Sequence, residues 1–323
     1  MKVTRLALPD GLAGLLAGPN LGIVLAWLGQ AGFALRIGEA VVLVDPYLSD
    51  HLAEKYRAAR FQHVRMMPAP IAADGFPRVD LVVCTHRHGD HMDPGTLPVL
   101  AARHPGCRFV LPAPELAHAE ALGLLATRLV PAEAGQALRP LPDIDLVLHP
   151  VPAAHERLER DERGRHRFLG YGIEAAGLRL YHSGDCIPYD GLAEAVRDLA
   201  PELALLPVNG RDAERAAAGV PGNFTLDEAV ALCAGSGIGW LVPHHFGLFA
   251  FNTADPAAID ACAARQAALG LRPGLLRPDT RHAFLLGREV PEVGHPRRSD
   301  TGEPDGAGEA PSASQEHDVG TGT

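Results

Sequence analysis

The sequence predicts an α/β protein with two β-sheet regions and helices packed outside them. Three observations support this prediction: short apolar strands open the chain, strands and helices then alternate, and 47% of the residues are hydrophobic. This order of elements is typical of layered α/β folds. A chain of 323 residues can also bury a large core, in one large domain or two smaller ones.

The predicted strands are short runs rich in β-branched and other apolar residues. In chain order they are Gly22–Trp27, Phe33–Ile37, Val41–Asp45, Val79–Thr85, Arg108–Leu111, Asp145–Val151, Leu178–His182, Leu203–Val208 and Trp240–Pro243. The predicted helices are Asp50–Arg57, Pro94–Arg103, Pro114–Ala121, Leu192–Leu199, Thr225–Ala234 and Asp255–Leu269. Thr225 followed by Glu228 is a capping-box pattern, which marks the start of one helix.

One uncharged stretch, from Gly11 to Leu35, is long enough to cross a lipid bilayer. Glycines and the turn pair Pro19-Asn20 interrupt it. It also lacks the compact apolar segment and the cleavage site of a signal peptide. We therefore expect two strands flanking a turn here, and no membrane segment.

Composition narrows the class of protein and its compartment. The chain has 39 acidic and 29 basic residues, and its net charge of -10 argues against nonspecific nucleic-acid binding. Its five cysteines include no CxxC pair, so we expect no disulfide framework and a cytoplasmic location. Residues 288–323 are rich in Gly, Pro, Ser, Glu and Asp, which predicts a disordered C-terminal tail after a domain spanning 1–287.

The segment 81–91 is an apolar strand that ends in a cluster of metal-binding residue types: His86, His88, Asp90 and His91. Imidazoles buried at a strand end need ligands or hydrogen-bond partners, because burying a polar group alone costs free energy. Histidines two residues apart in an extended segment can face one point. The pair Asp90-His91, beyond the turn, can face a second point. Nitrogen and carboxylate ligands together suit Zn, Mn or Fe ions.

Three later apolar strands each deliver a histidine or aspartate at or just beyond their end: His155, Asp185 and His245. Open α/β folds build their sites at such strand ends, so we expect these side chains to complete the cluster. His244 precedes His245, and only one of two neighbours in a regular strand can face the site.

The order of these motifs resembles that of the metallo-β-lactamase superfamily: HxHxDH, a single His, an Asp in a Ser-Gly-Asp turn, and a late His. The resemblance covers about residues 23–286 and implies a four-layer αβ/βα sandwich with two divalent metal ions, Zn or Mn. The implied ligands of the first ion are His86, His88 and His155. Those of the second ion are Asp90, His91 and His245, with Asp185 as the bridging carboxylate. The redox branch, the flavodiiron proteins, typically carries Glu where this chain has His88, so the resemblance favours hydrolysis.

Four segments, 27–33, 44–48, 181–185 and 207–212, are similar to the L-ascorbate-6-phosphate lactonase-like branch. That similarity implies hydrolysis of a lactone or related cyclic ester of a small anionic sugar acid. Two alternatives stay open: a phosphodiesterase acting on a cyclic nucleotide or phospholipid head group, and a metal-binding protein without catalytic activity. Members of this branch often form oligomers, so homo-oligomer formation also stays open.

The implied site suggests a mechanism. Two cations that share a water molecule lower its pKa toward neutrality and so supply hydroxide at pH 7. We expect Asp90 to orient this nucleophile and to pass a proton to the leaving group, besides binding metal. Asp45 is expected to hydrogen-bond a ligand histidine, although a strand-end turn before Pro46 explains it equally well.

Other residues are candidates for contacts with the substrate. Arg211 is the best single candidate for an anionic group, and Asn209 could hold the same loop. His182 could face the substrate, although a satisfied core histidine is favoured. A basic run could also bind an anion, although a solvated helix face is favoured; it consists of Lys55, Arg57, Arg60 and Arg65.

Overall fold

The computed structural model describes residues 1–288, which form two β-sheets with helices packed against them. The tail predicted for 288–323 lies outside the described residues, apart from Arg288. The strands are β1 (Lys2–Ala7), β2 (Ile23–Gly29), β3 (Gly32–Ile37), β4 (Ala40–Val44), β5 (Leu81–Val83), β6 (Arg108–Pro112), β7 (Leu129–Ala132), β8 (Leu146–Pro152), β9 (Leu169–Ala175), β10 (Leu178–His182), β11 (Leu203–Pro207), β12 (Trp240–His244), β13 (Gly274–Leu275) and β14 (His282–Gly287). The α-helices are α1 (Gly11–Ala17), α2 (His51–Lys55), α3 (Leu97–Arg103), α4 (Leu116–Ala121), α5 (Leu192–Leu199), α6 (Ala213–Ala217), α7 (Leu226–Gly235) and α8 (Pro256–Ala268).

The first sheet has eight strands in the order β1-β14-β2-β3-β4-β5-β6-β7, and the second has six in the order β13-β12-β11-β10-β9-β8. Strands β4 to β7 run parallel, as do β10 to β13, while the other pairs are antiparallel. The predicted fold class, an α/β sandwich, is confirmed.

The hydrophobic core lies on both faces of the first sheet. In β2, Ile23 and Leu25 point into a core shared with the second sheet, whereas Val24 and Ala26 join a separate core with α1 and α3. This division follows from the two-residue period of a strand. Helices α5, α7 and α8 pack on the second sheet. Helices therefore cover both outer faces of the sandwich.

The prediction of two strands flanking a turn in Gly11–Leu35 is wrong in its first half. Residues 11–17 form α1, because Leu12 and Leu16, four residues apart, bury one helical face against the first sheet. The second half forms β2 and β3. None of the helices in residues 1–288 combines the length and apolar character that spanning a bilayer requires.

The strand ends place the candidate residues together. Strands β8, β10 and β12 all run in the same direction, since β8 and β10 are each antiparallel to β9 and β10 to β12 are parallel. His155, Asp185 and His245 therefore leave the second sheet at one edge. The loop that carries the HxHxDH segment leaves the first sheet after β5.

Candidate metal centre

Asp45, at the end of β4, holds the loop that follows β5. Its carboxylate accepts hydrogen bonds from the backbone and hydroxyl of Thr85, at 2.8 and 2.7 Å. The same carboxylate lies 2.7 Å from Nδ1 of His91. This contact leaves Nε2 of His91 directed at the cluster. A second carboxylate, Asp93, ties the loop after β4 to the same segment by accepting from the hydroxyls of Ser49 and Thr96.

Three histidines form the first group of candidate ligands. His86, His88 and His155 each offer a ring nitrogen, and these atoms all lie within 4.8 Å of one another. The backbone oxygen of Gly222 lies 3.2 Å from Nδ1 of His155 and so leaves Nε2 of this ring for a ligand. These are the three residues that the resemblance implied for the first ion.

A second group combines a carboxylate and two histidines. Asp90, His91 and His245 offer ligand atoms that also lie within 4.8 Å of one another. Oδ2 of Asp90 is 3.8 Å from Nε2 of His91 and 3.9 Å from Nε2 of His245. These are the three residues that the resemblance implied for the second ion.

Asp185 lies between the two groups. Its Oδ2 is 3.5 Å from Nε2 of His155, 3.5 Å from Nε2 of His91 and 3.4 Å from Nε2 of His245. One carboxylate oxygen thus touches histidines of both groups. A carboxylate with this placement is the residue type that bridges two cations.

The unpaired polar atoms of this cluster fit divalent metal ions. Among residues 1–288, Nε2 of His86, Nε2 of His91 and Oδ1 of Asp185 are buried without a hydrogen-bond partner. Such atoms are costly in a protein interior unless a ligand or a cation satisfies them. In each group the imidazole or carboxylate ligand atoms lie within 4.8 Å of one another, and such a set suits Zn or Mn.

The pKa values of the histidines in the cluster also fit a metal site. Burial lowers the pKa of His155 to about 4 and lowers that of His86 well below its usual value, so both rings are neutral at pH 7. Neutral imidazole is the form that binds a metal ion. Burial alone would lower the pKa of His91, but the carboxylates of Asp185 and Asp45 raise it well above its usual value. These carboxylates therefore favour a positive charge at the position that a cation would fill.

Gln30, which sequence reasoning did not single out, touches the second group. Its side-chain Nε2 donates to Oδ2 of Asp90 at 3.1 Å and lies 3.1 Å from Nε2 of His245. Its backbone oxygen accepts from the backbone N–H of His245 at 3.1 Å. Gln30 is fully buried in the turn between β2 and β3. Its position inside the Trp27–Phe33 motif was the available signal.

His182, one of the predicted candidates for a substrate contact, is hydrogen-bonded to protein groups. Nε2 of His182 is 2.9 Å from the backbone oxygen of Ala31, and its Nδ1 accepts from the backbone N–H of Gly184, so its ring is satisfied and shapes the turn before Asp185. His244 stacks on His182 at 4.9 Å between ring centroids. Neither ring lines the cleft over the cluster.

Asn209 and Arg211 also contact protein groups. Asn209 donates to the side chain of Asn252 at 2.6 Å, and Asn252 lines the cleft. Arg211 makes two hydrogen bonds to the carboxylate of Glu228, at 2.6 and 2.7 Å, and does not line the cleft. Asn209 therefore contacts a residue of the cleft wall without lining the cleft itself. Arg211 forms an ion pair with Glu228 and is not directed into the cleft.

An open cleft of about 480 Å³ lies over the cluster. His88, Asp90, His155, Asp185 and His245 form its floor. Apolar and aromatic side chains form part of its walls; they include Leu52, Tyr56, Phe61, Val220 and Pro221. Its cationic side chains are Lys55, Arg60 and Arg87. Of the predicted basic run, Arg65 instead donates to backbone oxygens of Tyr47 and Ser49.

Comparisons with known proteins agree with this fold. A family model described as "Beta-lactamase superfamily domain" matches residues 41–246. A UPF0173 metal-dependent hydrolase of Hyperthermus butylicus is 30% identical over 238 residues, covering 71% of this chain and 86% of the relative. Another, of Myxococcus xanthus, is 29% identical over 244 residues, covering 73% and 74%.

Solved structures show the same fold. A metallo hydrolase of Ignicoccus hospitalis aligns with a TM-score of 0.59 and 20% identity, over 82% of this chain and 99% of that one. An isothiocyanate hydrolase from Delia radicum gut bacteria aligns with a TM-score of 0.62 and 15% identity, over 80% and 97%. The chain belongs to the metallo-β-lactamase superfamily and is a metal-dependent hydrolase.

Proposed function

We propose that this protein hydrolyses a lactone or related cyclic ester of a small anionic sugar acid at a two-metal site. The observation that carries the proposal is the placement of Asp185 between two groups of three candidate ligands, at the floor of an open cleft. The similarity of four segments to the L-ascorbate-6-phosphate lactonase-like branch supports the substrate class.

Seven side chains would hold two Zn or Mn ions. The first ion would bind to His86, His88 and His155, the second to Asp90, His91 and His245, and Asp185 would bridge them. When bound, such a pair of cations acidifies a water molecule and polarises the bond to be cleaved. The protein's own part is to fix the ligands: Asp45 orients His91, and Gln30 contacts Asp90 and His245.

Asp90 is the residue that we propose moves the proton. Its side chain is 16% exposed and lines the cleft, so a substrate can contact it. In the reaction, the water oxygen bonds to the ester carbonyl carbon and the ring C–O bond breaks. The proton lost by water is carried by the Asp90 carboxylate to the leaving alkoxide. The product is a hydroxy acid, and no other reactant is needed.

The cleft supports a small anionic substrate. A cavity of about 480 Å³ holds a sugar acid, and three cationic side chains line it in a chain whose net charge is -10. Positive side chains inside an otherwise acidic protein concentrate anions at the site.

The test compares wild type with His86→Ala, and uses His149→Ala, outside the cluster, as the matched control. We expect about two equivalents of Zn or Mn in wild type and the control by mass spectrometry, and less metal in His86→Ala. Lactones should be hydrolysed by the two metal-replete proteins and only weakly by His86→Ala. A wild type that takes up no Zn or Mn, or that cleaves bis-(p-nitrophenyl) phosphate and no lactone, would contradict the proposal.

A further inference from the structure

Three cations line the cleft, and their partners differ. Arg60 forms an ion pair with Glu214. The Lys55 ammonium lies 5.0 Å from the centre of the Tyr56 ring, a cation–π contact. Arg87 has a different environment: within residues 1–288, its ion-pair partner is Glu115, at a long distance of 4.0 Å.

Glu115 itself is already engaged. It is 2% exposed, and its Oε1 accepts a hydrogen bond from Arg167 at 2.8 Å. Arg87 approaches the other oxygen of this carboxylate without reaching hydrogen-bond distance. The negative charge of Glu115 therefore attracts the Arg87 guanidinium, while the N–H groups of Arg87 stay available to a ligand. The side chain of Arg87 is 58% exposed, so a ligand can reach it.

The chain position of Arg87 fixes it beside the reacting centre. It stands between His86 and His88, two residues of the first candidate ligand group, and consecutive Cα atoms are about 3.8 Å apart. Its side chain lines both the main cleft and a smaller pocket next to it, which Glu115 and Arg167 also line. A guanidinium in this position can contact a substrate group that lies only a few bonds away from the substrate atoms held over His88.

We propose that Arg87 binds an oxyanion of the substrate, a carboxylate or a phosphate, attached within a few bonds of the ester that is cleaved. A guanidinium suits this role, because its paired N–H groups match two oxygens of one oxyanion. This inference rests on the proposed function and makes it specific: Arg87 discriminates anionic from neutral esters. It also transfers the anion-binding role from Arg211, which is paired with Glu228.

The test uses metal-loaded wild type, Arg87→Gln, Arg87→Lys and a control, Arg103→Gln, whose arginine is exposed in the last turn of α3 outside the cleft. Each is assayed on three lactones of one ring size: neutral, carboxylated and phosphorylated. We expect Arg87→Gln to lower the ratio of kcat/KM for one anionic lactone to that for the neutral lactone by about tenfold or more, as loss of a charged hydrogen bond does. Arg87→Lys should lower the ratio less, and Arg103→Gln should leave it unchanged.

The anionic lactone whose ratio falls identifies the oxyanion. An unchanged ratio for both anionic lactones in Arg87→Gln, at unchanged metal content, overturns the role of Arg87 even where lactones are hydrolysed.

A second readout separates this inference from the proposed function. Calorimetry measures the binding of inorganic phosphate and of acetate to the same metal-loaded proteins. If wild type hydrolyses no lactone, weaker binding of either anion to Arg87→Gln than to Arg103→Gln still supports the oxyanion site. Equal binding of both anions to these two variants then overturns it.

Discussion

Three residues around the metal centre hold a left-handed backbone conformation although none is a glycine. They are Gln30, Asp45 and His245, with φ values of 50°, 44° and 64°. Each such conformation costs about 1–3 kcal/mol and persists only where its surroundings fix it. Here the fixing contacts are visible: the backbone N–H of Asp45 donates to Val83, and that of His245 donates to Gln30. The backbone strain therefore aims the side chains that hold or orient the candidate ligands.

Gln30 gives a prediction at the scale of single residues. Gln30→Leu keeps side-chain volume but removes the amide that contacts Asp90 and His245. Both contacts belong to the second ligand group, so we expect the second metal ion to bind about 10–100-fold more weakly and the first to be little affected. Titration of chelator-treated protein with Zn, followed by calorimetry, should then resolve one tight and one weakened site.

The control for this prediction is Gln266→Leu, which makes the same change at a buried glutamine of α8. It should bind both ions as wild type does. Equal weakening of both sites in Gln30→Leu would show that the substitution disturbs the whole cluster, which contradicts the assignment of Gln30 to one group.

The candidate ligands could be predicted from the sequence because each lies in a loop that follows an apolar strand. His86, Asp185 and His245 are examples: each lies within three residues of a strand end, where open α/β folds build their sites. Gln30 could not be predicted in the same way. Its role depends on contacts with residues 60 and 215 positions away, and no local pattern encodes such contacts.

At the scale of elements, the start of α7 organises the loop that follows β11. Thr225 and Glu228 form the predicted capping box, and Glu228 also pairs with Arg211. The hydrogen bond from Arg211 holds the pKa of Glu228 at about 2. One carboxylate thus caps the helix and anchors the loop that carries Asn209.

This pair leads to a prediction for Arg211→Gln. We expect the pKa of Glu228 to rise from about 2 toward its usual value of about 4.5. Because the folded pKa is depressed, the stabilisation is complete above the unfolded pKa and is lost as the pH falls through the folded one. The wild-type advantage in free energy of unfolding should therefore be full at pH 7 and shrink between about pH 4.5 and pH 2.

Carboxyl-carbon NMR of Glu228 and urea unfolding at several pH values measure these two effects. The control is Arg197→Gln, which breaks an exposed pair with Glu194 on α5 and should have little effect on stability. An unchanged pKa of Glu228 in Arg211→Gln would refute the prediction.

Helices and strands differ in how far the sequence predicts them. The central strands β2 to β5 and the helices α5, α7 and α8 were predicted within a few residues, because their apolar pattern is local. Strand β1 was missed: it is an edge strand with charged residues, such as Lys2 and Arg5, and only its pairing with β14 makes it a strand. Helix α1 was missed because its glycines conceal the four-residue spacing of two buried leucines.

At the scale of the whole molecule, the candidate ligands come from both sheets. Four follow β5 of the first sheet: His86, His88, Asp90 and His91. Three follow strands of the second sheet: His155, Asp185 and His245. The groups are interleaved, since each combines residues of both sheets. Metal ions held here would cross-link the two halves of the sandwich, so site occupancy and fold stability should be coupled.

Metal removal therefore gives a prediction for the whole chain. Free metal at 100 times its Kd stabilises the folded state by about 2.7 kcal/mol, which corresponds to a shift in Tm of roughly 5–10 °C for a domain of this size. We expect a chelator to lower the Tm of wild type by about this amount and added Zn or Mn to restore it. The chelator should change the Tm of His86→Ala less, because that variant lacks a ligand of the first group, whereas His149→Ala should respond as wild type does. If chelation strips the metal but leaves the Tm of wild type unchanged, the ions do not join the two sheets, and the ligand assignment across them is wrong.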